Sequence, residues 1–560
     1  MTVRCAGDSR QLRIGLRRLE LVRGPDAVGE SCGFRVNGLS FFAKGANWIP
    51  ENVLPGRIDP TAIHRLLDDA AAAHMNMLRV WGGGLYEVDA FYERCDELGI
   101  LVWQDCAFAC GEYPWDDAGF QASVQAEIAD NVRRLRHHPS LALWCGNNEI
   151  EMGKVLYTPD YDHFMDAQLP AWIAAHDPDT PYWPSSPHSP GDRAWASKDS
   201  CGDAHHWDVF FGGRPIEHQR NWRCRFMSEY GFQSLPDRRT VAAFTEVGDR
   251  GINTPIMDYH QRSQVGNRTM LSYVLDWLPA PTGFEQTIYA TQLVQALCLR
   301  YAAEHLRRLQ PHSQGCLYWQ INDVWPCPSW STIDHGGRWK VAHYDMVRAF
   351  APILVSLVED QRPDRVAVHC SNQTATDGVF TVRWAIGDTD GSVLAEGSEA
   401  VLVPCQSDRL VTRLDLQAWQ DRRHRNDLLV WAWVLDAQDQ VCSRNLVSCC
   451  RPKHLSLADP GISASVGGDA SGIWVDLSCR RPALWVGLDL EQADTLWSDN
   501  HIHLHPDEPR RIHLRRGPDR DTVQQQLRVT SLSDLMPHRR PLESRCSAPS
   551  PDRVAWYKLP

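Results

Sequence analysis

Eight short apolar runs recur between residues 40 and 350 of this chain, and most are separated by stretches of helical periodicity. The runs are FFAKGANWI, MNMLRVW, GILVWQD, SLALWCGNNE, YWPSSP, DAHHWDV, CRFMSEYG and GCLYWQIND. Each has strand length and ends in polar residues or turn formers. Helical segments fit between several of them. Asp59 and Pro60 are an N-cap and a first-turn proline, followed by Ile63, Leu66, Leu67 and Ala70 at helical spacing. Phe91, Cys95 and Leu98 share a face of a segment that stops at Gly99, and Phe120, Val124, Ile128, Val132 and Leu135 make another stripe. A longer stripe runs through YATQLVQALCLRYAAEHLRRL. Strand and helix alternating eight times predict a (β/α)8 barrel. The competing arrangement is an open doubly wound sheet. It is disfavoured because no Gly-rich phosphate loop follows the first run, and WGGG at 81–84 lacks GxGxxG spacing.

Outside that region the periodicity is that of strands. RVAVHC, VFTVRWAI and LLVWAWVL predict a β-sandwich of immunoglobulin type over residues 351–450, and residues 451–545 read as a smaller C-terminal β-sandwich. Residues 546–560 form a tail. Residues 1–37 contain a strand-like QLRIGLRRLELVR and an Asn37–Gly38 hairpin signal before the barrel at 38–350. The fold class expected is therefore α/β, a TIM barrel followed by β-sandwich domains. With 57 basic and 70 acidic residues the net charge is −13, which argues against nucleic acid and anionic membrane surfaces as partners. No apolar run approaches a membrane span, and the start, MTVRCAGDSRQ, lacks the core of a signal peptide. The 18 cysteines include no CxxC pair, so reduced thiols and a cytoplasmic location are expected. Many of the 23 tryptophans lie in polar, Gly/Pro-rich stretches, where aromatic walls suit a sugar face.

In a TIM barrel, function gathers at the C-terminal strand ends. There this chain places Arg79 and Trp81, Asp105, Asn148 and Glu149, Ser186, His205 and Trp207, Glu229 and Tyr230, Trp319, and Asn322 and Asp323. Burying such groups costs several kcal/mol unless they are satisfied. Glu149 is expected to end the fourth strand and Glu229 the seventh, on opposite sides of a barrel mouth. Two carboxylates facing each other across a Trp-lined pocket are what glycoside hydrolysis requires. One buried Glu would be weak evidence, since a paired structural carboxylate is the common explanation. Glu151 is expected to face solvent, on the assumption that the strand continues, and Asp105 to orient its neighbours. His205 and His206 have no third ligand spaced to make a metal site, so they are expected to hydrogen-bond. Trp115, Trp183 and Trp222 are read as packing.

RVWGGGLYEVDAFYERCDELGILVWQDCAFAC, RLRHHPSLALWCGNNE, PSSPHS, RFMSEYGFQSLP and YWQINDVWPCPSWSTIDHGGRWKVAHY occur in this order. Together they resemble the β-mannosidases of glycoside hydrolase family 2, over residues 11–510 and most densely over 34–345. WSDNHIHLHPDEPR resembles the family's last β-domain. The resemblance implies a retaining exo-β-mannosidase acting on terminal non-reducing β-D-mannose, with no metal or organic cofactor. Its alternatives are another exo-glycosidase of the family, such as an exo-β-glucosaminidase or a β-galactosidase, and a carbohydrate-binding remnant without turnover. By the same resemblance Glu149 is the acid/base and Glu229 the nucleophile. Asn148 would bind the sugar 2-OH, and Arg79 would lie under Glu229. Trp81, His205, Trp207 and Trp319 would wall the sugar subsite, with Tyr230 beside Glu229. Phe210–Phe211 and Ile150 depart from the family pattern on the aglycone side.

The resemblance also implies a jelly roll and a second β-domain ahead of the barrel. Residues 1–37 correspond only to a remnant strand and linker of that second domain. A fragment, a split enzyme completed by a separate chain, and a barrel that works differently all fit this departure. Besides a β-mannoside oligosaccharide, the partner expected is a chain carrying those domains, or a second copy of this one.

Overall fold

The computed structural model describes residues 1–11, 13–152, 159–192, 196–359, 364–420 and 425–536. The predicted tail, 546–560, and the last residues assigned to the C-terminal sandwich lie outside them. The chain begins with a hairpin of β1 (Thr2–Cys5) and β2 (Asp8–Gln11), followed by an antiparallel sheet of β3 (Leu19–Asp26), β4 (Gly29–Val36) and β5 (Leu39–Phe41). Residues 1–37, expected as a remnant strand and linker, thus carry four strands, β1 to β4. Phe34, on β4, is 1% exposed and packs edge-on against Trp103 and Phe226, with ring centroids 6.4 and 5.9 Å away. Ala43, Met77, Leu143 and Leu317 join the same cluster, so the sheet stoppers the lower end of the barrel.

The barrel strands are β6 (Ala43–Trp48), β7 (Met77–Val80), β8 (Leu101–Asp105), β9 (Leu141–Cys145), β10 (Tyr182–Trp183), β11 (Ala204–His206), β12 (Met227–Tyr230) and β13 (Gly315–Tyr318). Every one falls inside a predicted run. They pair in parallel in the order β10-β9-β8-β7-β6-β13-β12-β11, with β13 closing onto β6. Among the described residues β10 and β11 share no ladder. The segment between them carries no described helix, whereas helices Pro60–Ala72, Asp89–Leu98, Ala118–Leu135 and Phe284–Arg308 cover other faces. The Asp59 side chain caps the first by accepting from Thr61 N, and Asp117 caps the third by accepting from Phe120 N. No helix among the described residues is long and apolar enough to cross a membrane.

Two β-sandwiches follow, each with its own core. The strand Leu428–Leu435 is buried at every position because both its faces are covered. Leu428, Val430, Ala432 and Val434 fill the first sandwich, while Leu429, Trp431, Trp433 and Leu435 join the core continuous with the barrel. The Trp433 indole N–H also donates to Glu508 of the second sandwich at 2.8 Å.

The stopper has a measurable consequence. Phe34→Ala opens a cavity at the barrel's lower end, and a buried Phe→Ala change costs about 3–5 kcal/mol. The thermal midpoint of the barrel transition, followed by calorimetry, is expected to fall by several degrees. An unchanged midpoint would mean that the N-terminal sheet is not part of the barrel's core.

Candidate active site

Arg79, in the middle of β7, has no solvent exposure and binds groups from four other segments. Its Nε and Nη2 donate to the two oxygens of Asp105 at 3.2 and 2.7 Å. Nη2 also donates to Asn148 Oδ1 at 2.7 Å, and Nη1 to Glu229 Oε1 at 2.5 Å and Asn47 Oδ1 at 3.0 Å. Burial works against the cation, but Asp105 and Glu229 outweigh it and hold Arg79 above its ordinary pKa. Asp105 further accepts from Gly82 N and the Trp103 indole, so its predicted part as an orienting acid fits its contacts. Asn47 donates to the carbonyls of Ser228 and Tyr318, tying β6 to β12 and β13. With Oδ1 taken by Arg79, Asn148 turns its Nδ2 outward, 3.3 Å from Cys110 Sγ.

β9 ends at Cys145, and the next residues form a compact loop. Asn147 is fully satisfied inside it: Nδ2 donates to Tyr161 Oη and Pro184 O, and Oδ1 accepts from Ser185 Oγ and Ile150 N. Glu149 follows at φ +58°, a conformation uncommon for a side-chain-bearing residue. It is held there by its N–H on Ser186 O at 2.8 Å and by its own carbonyl, which accepts from Met152 N. The turn aims the Glu149 carboxyl across the mouth. Oε1 lies 2.7 Å from His205 Nδ1, and Oε2 3.5 Å from the Cys110 thiol. Glu229 Oε2 lies 3.5 Å from the same His205 nitrogen.

One ligating atom each from Glu149, His205 and Glu229 thus falls within 4.8 Å of the others. Such spacing suits a shared proton as well as a small cation. Because the Arg79 cation already pairs with Glu229 and would repel a second cation beside it, the spacing fits a shared proton better. Burial pushes the Glu229 carboxyl up, against the pull of His205 and Arg79. Burial also pushes Glu149 up, but the hydrogen bond and charge of His205, with Cys110 and Arg79, bring it below the usual carboxylate range. Groups this close titrate as a unit, so the resting proton distribution does not assign their roles.

Trp81, Trp207 and Trp319 are half-buried. Trp81 and Trp319 meet edge to face at 5.0 Å. Gly231 allows the other approach, since a Cβ there would sit 2.5 Å from Trp319 O and 3.2 Å from the Trp207 ring. Tyr230 does not join them. Its hydroxyl is buried and donates to Leu299 O on the long helix at 3.3 Å. Side chains alternate along a strand, so with Glu229 facing inward Tyr230 faces out. Glu151 is another correction: it is 2% exposed and bonds His188 Nδ1 at 2.7 Å, because Ile150–Met152 form a 3-10 turn and the strand does not continue. His206 points away from the mouth and packs on Trp222. Asn47, Cys110, Asp203 and Ser186 also serve this site, although the sequence assigns none of them a role. Position at a strand end was the only available signal for Ser186 and Asn47, and Asp203 precedes its strand.

Comparison with known proteins bears on this geometry. Residues 364–454 match a Mannosidase Ig/CBM-like domain and residues 457–535 an Ig-fold domain of mannosidases. The chain is 36% identical to a β-mannosidase from Bos taurus, over 93% of this chain and 64% of that protein. Over most of its length the chain is similar to β-mannosidases. Similarity also extends to the β-mannosidase B of Thermothelomyces thermophilus, 31% identical over 90% of this chain and 64% of the relative. A crystal structure of a β-D-mannosidase from Dictyoglomus thermophilum superposes with a TM-score of 0.86 at 32% identity, covering 92% of this chain and 63% of that one. An exo-chitosanase from Amycolatopsis orientalis shares the fold, with a TM-score of 0.74 at 17% identity over 94% of this chain and 66% of that one. The chain therefore spans a little under two thirds of the length of these β-mannosidases.

Arg79 supplies the test of this site. Arg79→Met leaves Asp105 and Glu229 buried without a counter-ion, and breaking such a pair costs about 3–5 kcal/mol. The loss of stability, read from denaturant midpoints, is expected to be largest near neutral pH. It should shrink as pH falls, because carboxyls with raised pKa values protonate and no longer need the cation. A pH-independent loss would point to packing alone.

Proposed function

We propose that this chain hydrolyses terminal non-reducing β-D-mannosides with retention of configuration. The observation that carries the reading is the pair of carboxyl oxygens, from Glu149 and Glu229, within 4.8 Å across a mouth bordered by Trp81, Trp207 and Trp319. Retaining enzymes keep their carboxyls about 5–5.5 Å apart, whereas inverting ones need about 6.5–9.5 Å to admit a water. Homology to β-mannosidases supports the substrate class.

Glu229 is the nucleophile. Arg79 engages its Oε1, which leaves Oε2 to attack the anomeric carbon. Glu149, with 23% of its side chain exposed against 4% for Glu229, is the acid/base at the open side. It protonates the leaving oxygen and then takes a proton from water as the mannosyl-enzyme is hydrolysed. Asn148, its amide group fixed by Arg79, donates to the sugar 2-OH. Every cysteine among the described residues is a free thiol, the vicinal Cys449 and Cys450 included, which supports a cytoplasmic setting.

Two variants separate the roles. Glu229→Ala abolishes turnover and is rescued by azide, giving the inverted glycosyl azide. Glu149→Ala slows substrates with poor leaving groups by about 10²–10⁴-fold but activated aryl mannosides far less, because only the former need a proton. Equal responses from both variants, or an inverted first product from the unmodified chain, would refute the assignment. A panel of aryl β-glycosides tests mannose against glucosamine and galactose.

A further inference from the structure

His205 has two ring nitrogens with different neighbours, and the difference fixes where its protons go. Nε2 lies 3.0 Å from Ser186 Oγ. That hydroxyl has one hydrogen, which it donates to Asp203 Oδ2 at 2.7 Å. Asp203 is buried and accepts from three further groups: Ser228 Oγ at 2.5 Å on Oδ2, and the Trp183 indole and His188 N, each at 2.8 Å, on Oδ1. A carboxylate facing four donors only accepts. Ser186 Oγ is thereby left as an acceptor toward the ring, so Nε2 must carry a hydrogen. Nδ1 then faces Glu149 Oε1 at 2.7 Å and Glu229 Oε2 at 3.5 Å, both acceptors. Three lone-pair atoms cannot converge without a proton between them.

We propose that Asp203 and Ser186 are positioning residues that lock the Nε2–H form of His205, so that His205 Nδ1 and Glu149 share the one proton delivered to the leaving group. The inference rests on the glycosidase reading of Glu149. In the resting pair the proton lies between His205 Nδ1 and Glu149 Oε1. When the glycosidic bond breaks, this proton goes to the departing oxygen. Glu149 is left as a carboxylate opposite a bare Nδ1. That juxtaposition is unfavourable, so Glu149 readily takes the proton of the attacking water and the pair is restored. Were Nε2 unlocked, the ring could move its remaining hydrogen to Nδ1 and donate it to the Glu149 carboxylate. This would stabilise the carboxylate, so that Glu149 loses its proton at lower pH and less of it is protonated when the leaving group needs it. The other charged or titratable groups around the pair are Arg79, which holds Glu229 and Asn148, and the Cys110 thiol on Glu149 Oε2. Neither reaches Nε2, so neither substitutes for the lock.

Asp203→Asn tests this with little change of shape. The new amide oxygen can still accept from Trp183 and His188. Its NH2 would donate to Ser186 and Ser228, and Ser228 can turn to Ala204 O, 3.2 Å away. Ser186 would then donate to Nε2 and force the hydrogen of the neutral ring onto Nδ1, as an Asp→Asn change does to other oriented catalytic histidines. The basic limb of kcat/KM is expected to move to lower pH. Turnover of β-mannosides with poor leaving groups should fall about 10²-fold while activated aryl mannosides lose far less. Ser186→Ala should act in the same direction, and Ser186→Thr, which keeps the hydroxyl, should restore the unmodified profile. Nitrogen NMR on histidine-labelled protein, with the His205 signal identified by its absence in His205→Gln, reads the tautomer without turnover. As pH rises the unmodified ring should lose the Nδ1 proton and keep Nε2–H, and Asp203→Asn should reverse this. An Nδ1–H ring in the unmodified protein, or an Asp203→Asn variant with unchanged tautomer and basic limb, overturns the proposal. Absence of any hydrolysis by the unmodified chain would instead refute the glycosidase reading, leaving the NMR result to decide the tautomer lock.

Discussion

One buried guanidinium organises the mouth of this barrel. Arg79 cannot stay in the interior without counter-charge, and Asp105 and Glu229 supply it by meeting at the same point. Its remaining hydrogens go to Asn47 and Asn148, so β6, β8, β12 and the loop after β9 are all referenced to one planar group. A guanidinium does this better than an ammonium, because its donors diverge in fixed directions within a plane. The orientation of the Glu229 carboxyl, the turn of the Asn148 amide and the entry to the Glu149 loop are consequences of that one placement.

The barrel could be read from the chain because its strands are buried on both faces and so appear as unbroken apolar runs. The same logic located Glu149 and Glu229, since a carboxylate at the end of such a run needs a reason. It failed where the backbone changes period. Glu151 was assigned by alternation along a strand that in fact ends at Cys145, and a 3-10 turn carries it inward to His188. Alternation applied to Tyr230 would have turned it away from the pocket, whereas proximity to Glu229 in the sequence suggested the opposite. Asp203 left no trace because its partners come from β10, β12 and the loop around 186–188, and no local pattern links them.

The strand Leu428–Leu435 shows how the first sandwich is joined to the barrel. Alternate residues belong to two cores, and the indole of Trp433 reaches a third body. Such a strand has no polar face to tolerate change. A substitution there alters the barrel's support and the sandwich's interior together, so the β-domains act as a buttress for the helical layer rather than as free appendages.

Among the described residues each neighbouring pair of barrel strands shares a ladder except β10 and β11, between which side chains of Asp203, Ser186 and Trp183 make contacts. The backbone of Glu149 is tied to one bank of that gap through Ser186 O, and His205 lies on the other. Glu229 and Arg79 belong to the continuous part of the wall, on β12 and β7. The two chemical halves of the mouth therefore have different mechanical footings. Glu229 sits on a strand hydrogen-bonded to neighbours on both sides, whereas Glu149 and His205 lie on the two sides of the gap. A displacement across the gap would therefore alter the separation of Glu149 and His205 before it altered the seat of Glu229.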